Sequence, residues 1–61
     1  MTYEELIKNK ITELEQMQIE LKKMYTYYIK FDMILSLENI TKQLYRNEFT
    51  INVLKEILGE L

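Results

Sequence analysis

The stretch Tyr28-Ile29-Lys30-Phe31-Asp32-Met33-Ile34-Leu35-Ser36-Leu37 decides the fold, because the apolar pattern changes phase inside it. Ahead of it a heptad track runs through Tyr3, Ile7, Leu14, Met17, Leu21, Met24, Tyr28 and Phe31, with Lys10 as its one polar member. Behind it a second track runs through Met33, Leu37, Ile40, Leu44, Ile51, Leu54, Leu58 and Leu61, with Asn47 as its one polar member. From Tyr28 to Leu37 the step is nine residues instead of seven, so the stripe swings by roughly 200° around a helix axis. One straight helix cannot turn both stripes toward the same neighbour. The chain is therefore expected to double back within 30–36 as an all-α antiparallel helical hairpin, a single domain over 1–61. The helices should span about 2–30 and about 36–60, joined by a turn at about 31–36.

The numbering predicts the register. Tyr28 falls opposite Leu37, Leu21 opposite Leu44, Leu14 opposite Ile51 and Ile7 opposite Leu58. Met24 with Ile40, Met17 with Asn47, Lys10 with Leu54 and Tyr3 with Leu61 fill the alternate layers. Thr2 followed by Glu5 reads as a capping box, and Glu4 and Glu5 suit the positive end of the helix dipole. At the far end Gly59 marks a place for fraying. The turn holds no Gly, Pro or Asn, which leaves Asp32 or Ser36 to cap the second helix. An open turn would give one long bent helix and the same layers in a swapped dimer. Thr50 offers a point where the second helix could break near Asn47–Thr50, and alternation through Tyr25, Tyr27, Ile29, Phe31 and Met33 is a weaker strand pattern.

Composition narrows the function classes. Of 61 residues, 48% are apolar or Tyr and 30% are charged, which is too apolar for a disordered tail. Cys and His are absent and Gly occurs once, so familiar nucleophile–base pairs, thiolate–metal sites and Gly-rich phosphate loops have no residues to be built from. Glu56 and Glu60 are the one acidic pair a turn apart near the end, read as solvated. No enzyme activity, cofactor or metal is expected. The start Met1-Thr2-Tyr3-Glu4-Glu5-Leu6 lacks a basic, then apolar, export signal, and no apolar run reaches membrane-spanning length; a cytoplasmic protein without membrane contact is expected. Ala and Pro are missing while Ile, Lys, Asn and Tyr are abundant, the skew of AT-rich coding in low-GC bacteria, their phages and plasmids.

Apolar residues also flank the tracks: Leu6, Ile11, Tyr25, Tyr27 and Ile34, then Tyr45 and Ile57. Stripes that wide belong to helices with neighbours on two sides, and a hairpin this short barely offsets its ordering entropy alone. Pairing with a second copy into a four-helix bundle is expected. Ile19, Phe49 and Val53 lie off both stripes as simple surface apolars.

Candidate partner-binding residues gather around the middle of the chain. Tyr25, Tyr27, Tyr28 and Phe31 crowd one segment, and Tyr45 is expected near them in the closed hairpin; Tyr combines large contact area with a polar tip. Lys22, Lys23 and Arg46 lie among them. Net charge is −3 over residues 1–20, +3 over 21–47 and −2 over 48–61, so the basic part falls at the turn. Those cations suit an acidic protein patch or, with the tyrosines, single-stranded nucleic acid.

Two resemblances bear on this reading. In length and expected dimeric bundle the chain resembles the plasmid copy-number regulators that bind paired RNA loops, and Asp32, Ser36, Leu37, Leu44, Tyr45 and Arg46 are similar to residues of their second helix. Six scattered positions assign no family, but they imply an RNA-binding alternative. The hairpin also resembles sporulation phosphatases acting on aspartyl-phosphate receivers, whose signature is Ser-Gln-x-x-Asp. The run here is Ser36-Leu37-Glu38-Asn39-Ile40, without the Asp, so that activity does not carry over. The expected function is a small non-enzymatic protein-interaction module, a phage- or mobile-element-encoded regulator or inhibitor of an unidentified protein. The alternatives are the RNA-binding bundle and a purely structural oligomerisation unit.

Overall fold

The computed structural model describes residues 1–59 and is an antiparallel pair of helices, α1 over Tyr3–Lys30 and α2 over Ile34–Ile57. It measures 44 × 16 × 14 Å, the length that 28 residues of α-helix span at about 1.5 Å each. Thr2 caps α1, its hydroxyl accepting from the Glu5 amide at 3.1 Å, with Glu4 and Glu5 in the first turn and Lys30 in the last. No strand occurs among the described residues, and α2 continues through Asn47–Thr50. Thr50 caps nothing because its hydroxyl donates to the Arg46 carbonyl one turn back at 2.8 Å, inside the helix.

The turn is tighter than expected and is built differently. The Met33 amide donates to the Tyr28 carbonyl at 3.0 Å and the Asp32 amide to the Ile29 carbonyl at 3.3 Å, the bond pair of a Schellman ending. Asp32 occupies the left-handed position that glycine usually fills, at φ 51°. Met33, at φ −85° and ψ 76°, then makes an inverse γ-turn in which the Ile34 amide donates to the Asp32 carbonyl at 3.0 Å. Neither Asp32 nor Ser36 caps α2. Met33 stands at the N-cap without any side-chain bond, and its carbonyl accepts from Leu37 at 2.8 Å. At the other end Gly59 adopts φ 75° just past α2, which ends the helix by the same left-handed device.

The helices meet in the expected register, but α1 turns a different edge inward. Ile7, Ile11, Leu14 and Ile51 form a buried cluster with Leu54 and Leu58 packed against it, while Leu21 and Ile40 are buried nearer the turn. Ile7, Leu14 and Leu21 belong to the expected track; Ile11 and the half-buried Gln18 replace Lys10 and Met17. Tyr3, Met17, Met24 and Phe31 are exposed, and Lys10 reaches Glu13 at 3.5 Å on the surface. The cause is a rotation of the buried stripe by about 50° around the axis, which keeps Ile7, Leu14 and Leu21, exchanges a buried lysine for an isoleucine and avoids desolvating an ammonium. The expected partners of Tyr3 and Glu56, namely Leu61 and Glu60, lie outside the described residues. Of the off-stripe apolars, Ile19 and Phe49 are exposed and Val53 is half-buried.

The same rotation brings Gln18 to Asn47. Asn47 is only 7% exposed, and its amide nitrogen donates to the Leu14 carbonyl and to Gln18 Oε1, both at 2.8 Å. Gln18 donates in turn to the Leu44 carbonyl at a long 3.5 Å. Among the described residues no buried side-chain nitrogen or oxygen lacks a partner, so this polar layer is satisfied as it crosses the seam. It divides the apolar cluster of the terminal half from Leu21 and Ile40.

Candidate functional site

The turn half of the hairpin carries most of the chain's aromatic side chains, and its geometry divides the expected aromatic cluster into two parts. On α1, Tyr27 meets Tyr28 edge-on with ring centres 5.9 Å apart and tilts against Phe31 at 4.7 Å. The Lys30 ammonium lies 5.7 Å from the Phe31 ring centre, at the limit of a cation–π contact. Tyr27 and Phe31 are exposed while Tyr28 is half-buried, lining a shallow recess with Met24, Ile40 and Gln43.

Tyr45 is not part of that group. It faces Tyr25 across an open groove of about 270 Å³ between the helices, with Gln18, Lys22, Thr41, Leu44 and Glu48 as the remaining walls. The register explains the separation. With Leu21 opposite Leu44, residue 45 comes level with residue 20 and stays short of Tyr27 and Phe31. Two helix flanks build this groove: Gln18, Lys22 and Tyr25 follow one another at helical spacing on α1, as do Thr41, Tyr45 and Glu48 on α2. The groove continues toward the termini past Glu15, Ile19 and Asn52. Gln18, Thr41, Leu44 and Glu48 were not among the expected site residues, and their shared flank is the sequence signal that would have found them.

The cations are also divided. Lys22 stands at the groove, whereas Arg46 lines the opposite side of the hairpin with Met17, Leu21, Gln43, Asn47 and Thr50. Lys23 pairs with Glu20 at 3.7 Å and Lys42 with Glu38 at 3.6 Å, both in the open and worth little to stability. At the tip Phe31, Ile34 and Leu35 are all exposed beside Asp32, with no side-chain cap on the first turn of α2.

Chemically this surface offers apolar contact with polar edges: aromatic faces, an amide, two hydroxyl-bearing rings and one cation beside one carboxylate. No helix among the described residues is long and apolar enough to cross a membrane. No protein-family model matches the chain, and no curated protein or solved structure matches it.

Proposed function

We propose that this chain is a small non-enzymatic interaction module that acts in the cytoplasm as a pair of hairpins packed into a four-helix bundle and binds another protein through its turn half. The observation that carries the reading is the concentration of solvent-facing aromatic surface there. Tyr25, Tyr27, Phe31 and Tyr45 remain open after the hairpin closes, two of them flanking a groove. Side chains of this kind, anchored on rigid helices, give large contact area for little ordering entropy. Lys22 at the groove, with Arg46 on the opposite side of the hairpin, favours a partner with an acidic patch. The AT-rich composition suits a phage- or mobile-element-encoded regulator or inhibitor.

The test is capture by affinity-tagged protein. Replacing Lys22, Tyr25 and Tyr45 together by Ala should abolish partner capture while the helical circular dichroism stays unchanged. Undiminished capture by a folded triple variant removes the turn half from consideration, and no capture by the native protein leaves the structural oligomerisation unit. The RNA-binding alternative rests on Lys22, Lys30 and Arg46, which have no ion-pair partner among the described residues. RNA affinity held by several phosphate contacts falls by orders of magnitude between low and moderate salt. Absence of binding at low salt eliminates that alternative.

A further inference from the structure

The members of the expected track that stay outside the seam, Tyr3, Met17, Met24 and Phe31, belong to a second stripe on α1. Tyr3, Leu6, Met17, Met24, Tyr27 and Phe31 follow one another at steps that preserve the heptad, and their exposures run from 42% to 75%. Lys10, Glu13 and Glu20 occupy the remaining positions of the same stripe, about a quarter turn away from the buried edge of Ile7, Ile11 and Leu14. The chain's own second helix does not cover it. The neighbouring flank of α2 presents Asn39, Gln43, Arg46 and Thr50, which line shallow polar-edged recesses beside Met17 and Met24.

We infer that this stripe is covered by the same stripe of a second copy, the two α1 helices running antiparallel with Lys10 of each copy opposite Glu20 of the other. This rests on the pairing proposed above and specifies its geometry. The charge pattern selects the occupant and the direction. Residues 1–15 hold four acids and two bases, for a net −2, and residues 16–31 hold one acid and three bases, for a net +2. Antiparallel self-pairing sets each acidic half along a basic half, whereas parallel pairing sets like against like.

The stripe charges then select the register. With Lys10 opposite Glu20, Tyr3 falls opposite Tyr27, Leu6 opposite Met24 and Glu13 opposite Met17, so the layers cover the stripe from Tyr3 to Tyr27 and leave Tyr25, Phe31 and Tyr45 outside it for the other protein. Sliding one heptad toward the N-termini leaves Met24, Tyr27 and Phe31 uncovered. Sliding one heptad the other way sets Lys10 against Tyr27 and desolvates its ammonium with no acid across the interface.

The experiment uses cysteine pairs, since the chain has no cysteine of its own. In the double variant Leu6→Cys, Met24→Cys the two thiols of one chain are roughly 27 Å apart along α1 and cannot join each other. Mild oxidation should convert this variant to a covalent dimer on a non-reducing gel, and should leave the single Leu6→Cys variant uncrosslinked. Light scattering should give twice the chain mass for the native protein. Lys10→Glu should weaken pairing by roughly tenfold or more, and adding Glu20→Lys should restore it. A dimeric mass with no crosslink in the double variant, or a crosslink in Leu6→Cys alone, overturns this arrangement and leaves pairing itself intact. A monomeric native chain at high micromolar concentration overturns both.

Discussion

The two halves of the hairpin use their large side chains in opposite ways. Toward the termini, isoleucines and leucines from both helices close on one another: Ile7, Ile11, Leu14 and Ile51 are buried with Leu54 and Leu58 against them. Toward the turn only Leu21 and Ile40 are buried, and the aromatic residues Tyr25, Tyr27, Phe31 and Tyr45 face outward. Branched aliphatic side chains fit between two helices about 8–10 Å apart, and four large rings do not. One half therefore holds the fold and the other keeps its rings at the surface. The Gln18–Asn47 layer is the boundary between them.

The largest contrast comes from truncating one side chain on each side of that boundary. Ile51→Ala opens a cavity in the terminal cluster and should cost about 2–5 kcal/mol, enough to unfold a chain of this size near room temperature. Tyr45→Ala removes more atoms, but from a 72% exposed position, and should change stability by less than about 0.5 kcal/mol. Urea titration at one protein concentration reads both. Equal losses would show that the turn half is packed as tightly as the other, and would end the division of labour drawn here.

The boundary itself should give the next largest effect. Asn47→Ala leaves the Gln18 carbonyl oxygen and the Leu14 carbonyl without their shared donor, at a cost of about 1–3 kcal/mol. Replacing both Gln18 and Asn47 by Leu removes every polar group from the layer. That variant should be at least as stable as the native chain, yet should lose its single register and show more than one species by light scattering. A double variant that is less stable than Asn47→Ala alone would mean the layer stabilises the fold outright instead of selecting one alignment.

How far this was legible in the residues differs by element. The reversal and the register could be read, because a nine-residue step and the alignment of Leu14 with Ile51 depend only on counting. The edge of α1 that packs inward could not be read from periodicity alone. Two adjacent stripes share Ile7, Leu14 and Leu21 and differ only in whether Lys10 and Met17 or Ile11 and Gln18 come with them. The choice belongs to desolvation and to the match between Gln18 and Asn47, which are properties of the pair of helices. The separation of Tyr45 from Tyr27 was implicit in the register. The turn was the least legible element, since its signal is normally a glycine and here an aspartate takes that place.

That aspartate gives the smallest of the expected changes and the cleanest reading of the turn. Asp32 holds φ 51°, a conformation that costs a side-chain-bearing residue roughly 1–2 kcal/mol and glycine almost nothing. Glycine also has more freedom to lose on folding, so the net gain of Asp32→Gly should be at most about 1 kcal/mol, a rise in melting temperature of roughly 4–8 °C. Asp32→Ala should shift the midpoint the other way, because alanine tolerates the left-handed region less well than aspartate. Asp32→Asn separates charge from conformation, since it tolerates the left-handed region while removing a carboxylate from the turn between the end of α1 and the start of α2. The two helix ends act on that charge with opposite signs, so Asn should match Asp closely. If Gly and Ala both leave the midpoint where it is, the chain does not turn through a left-handed residue at position 32, and the open form with one continuous helix becomes the arrangement to examine.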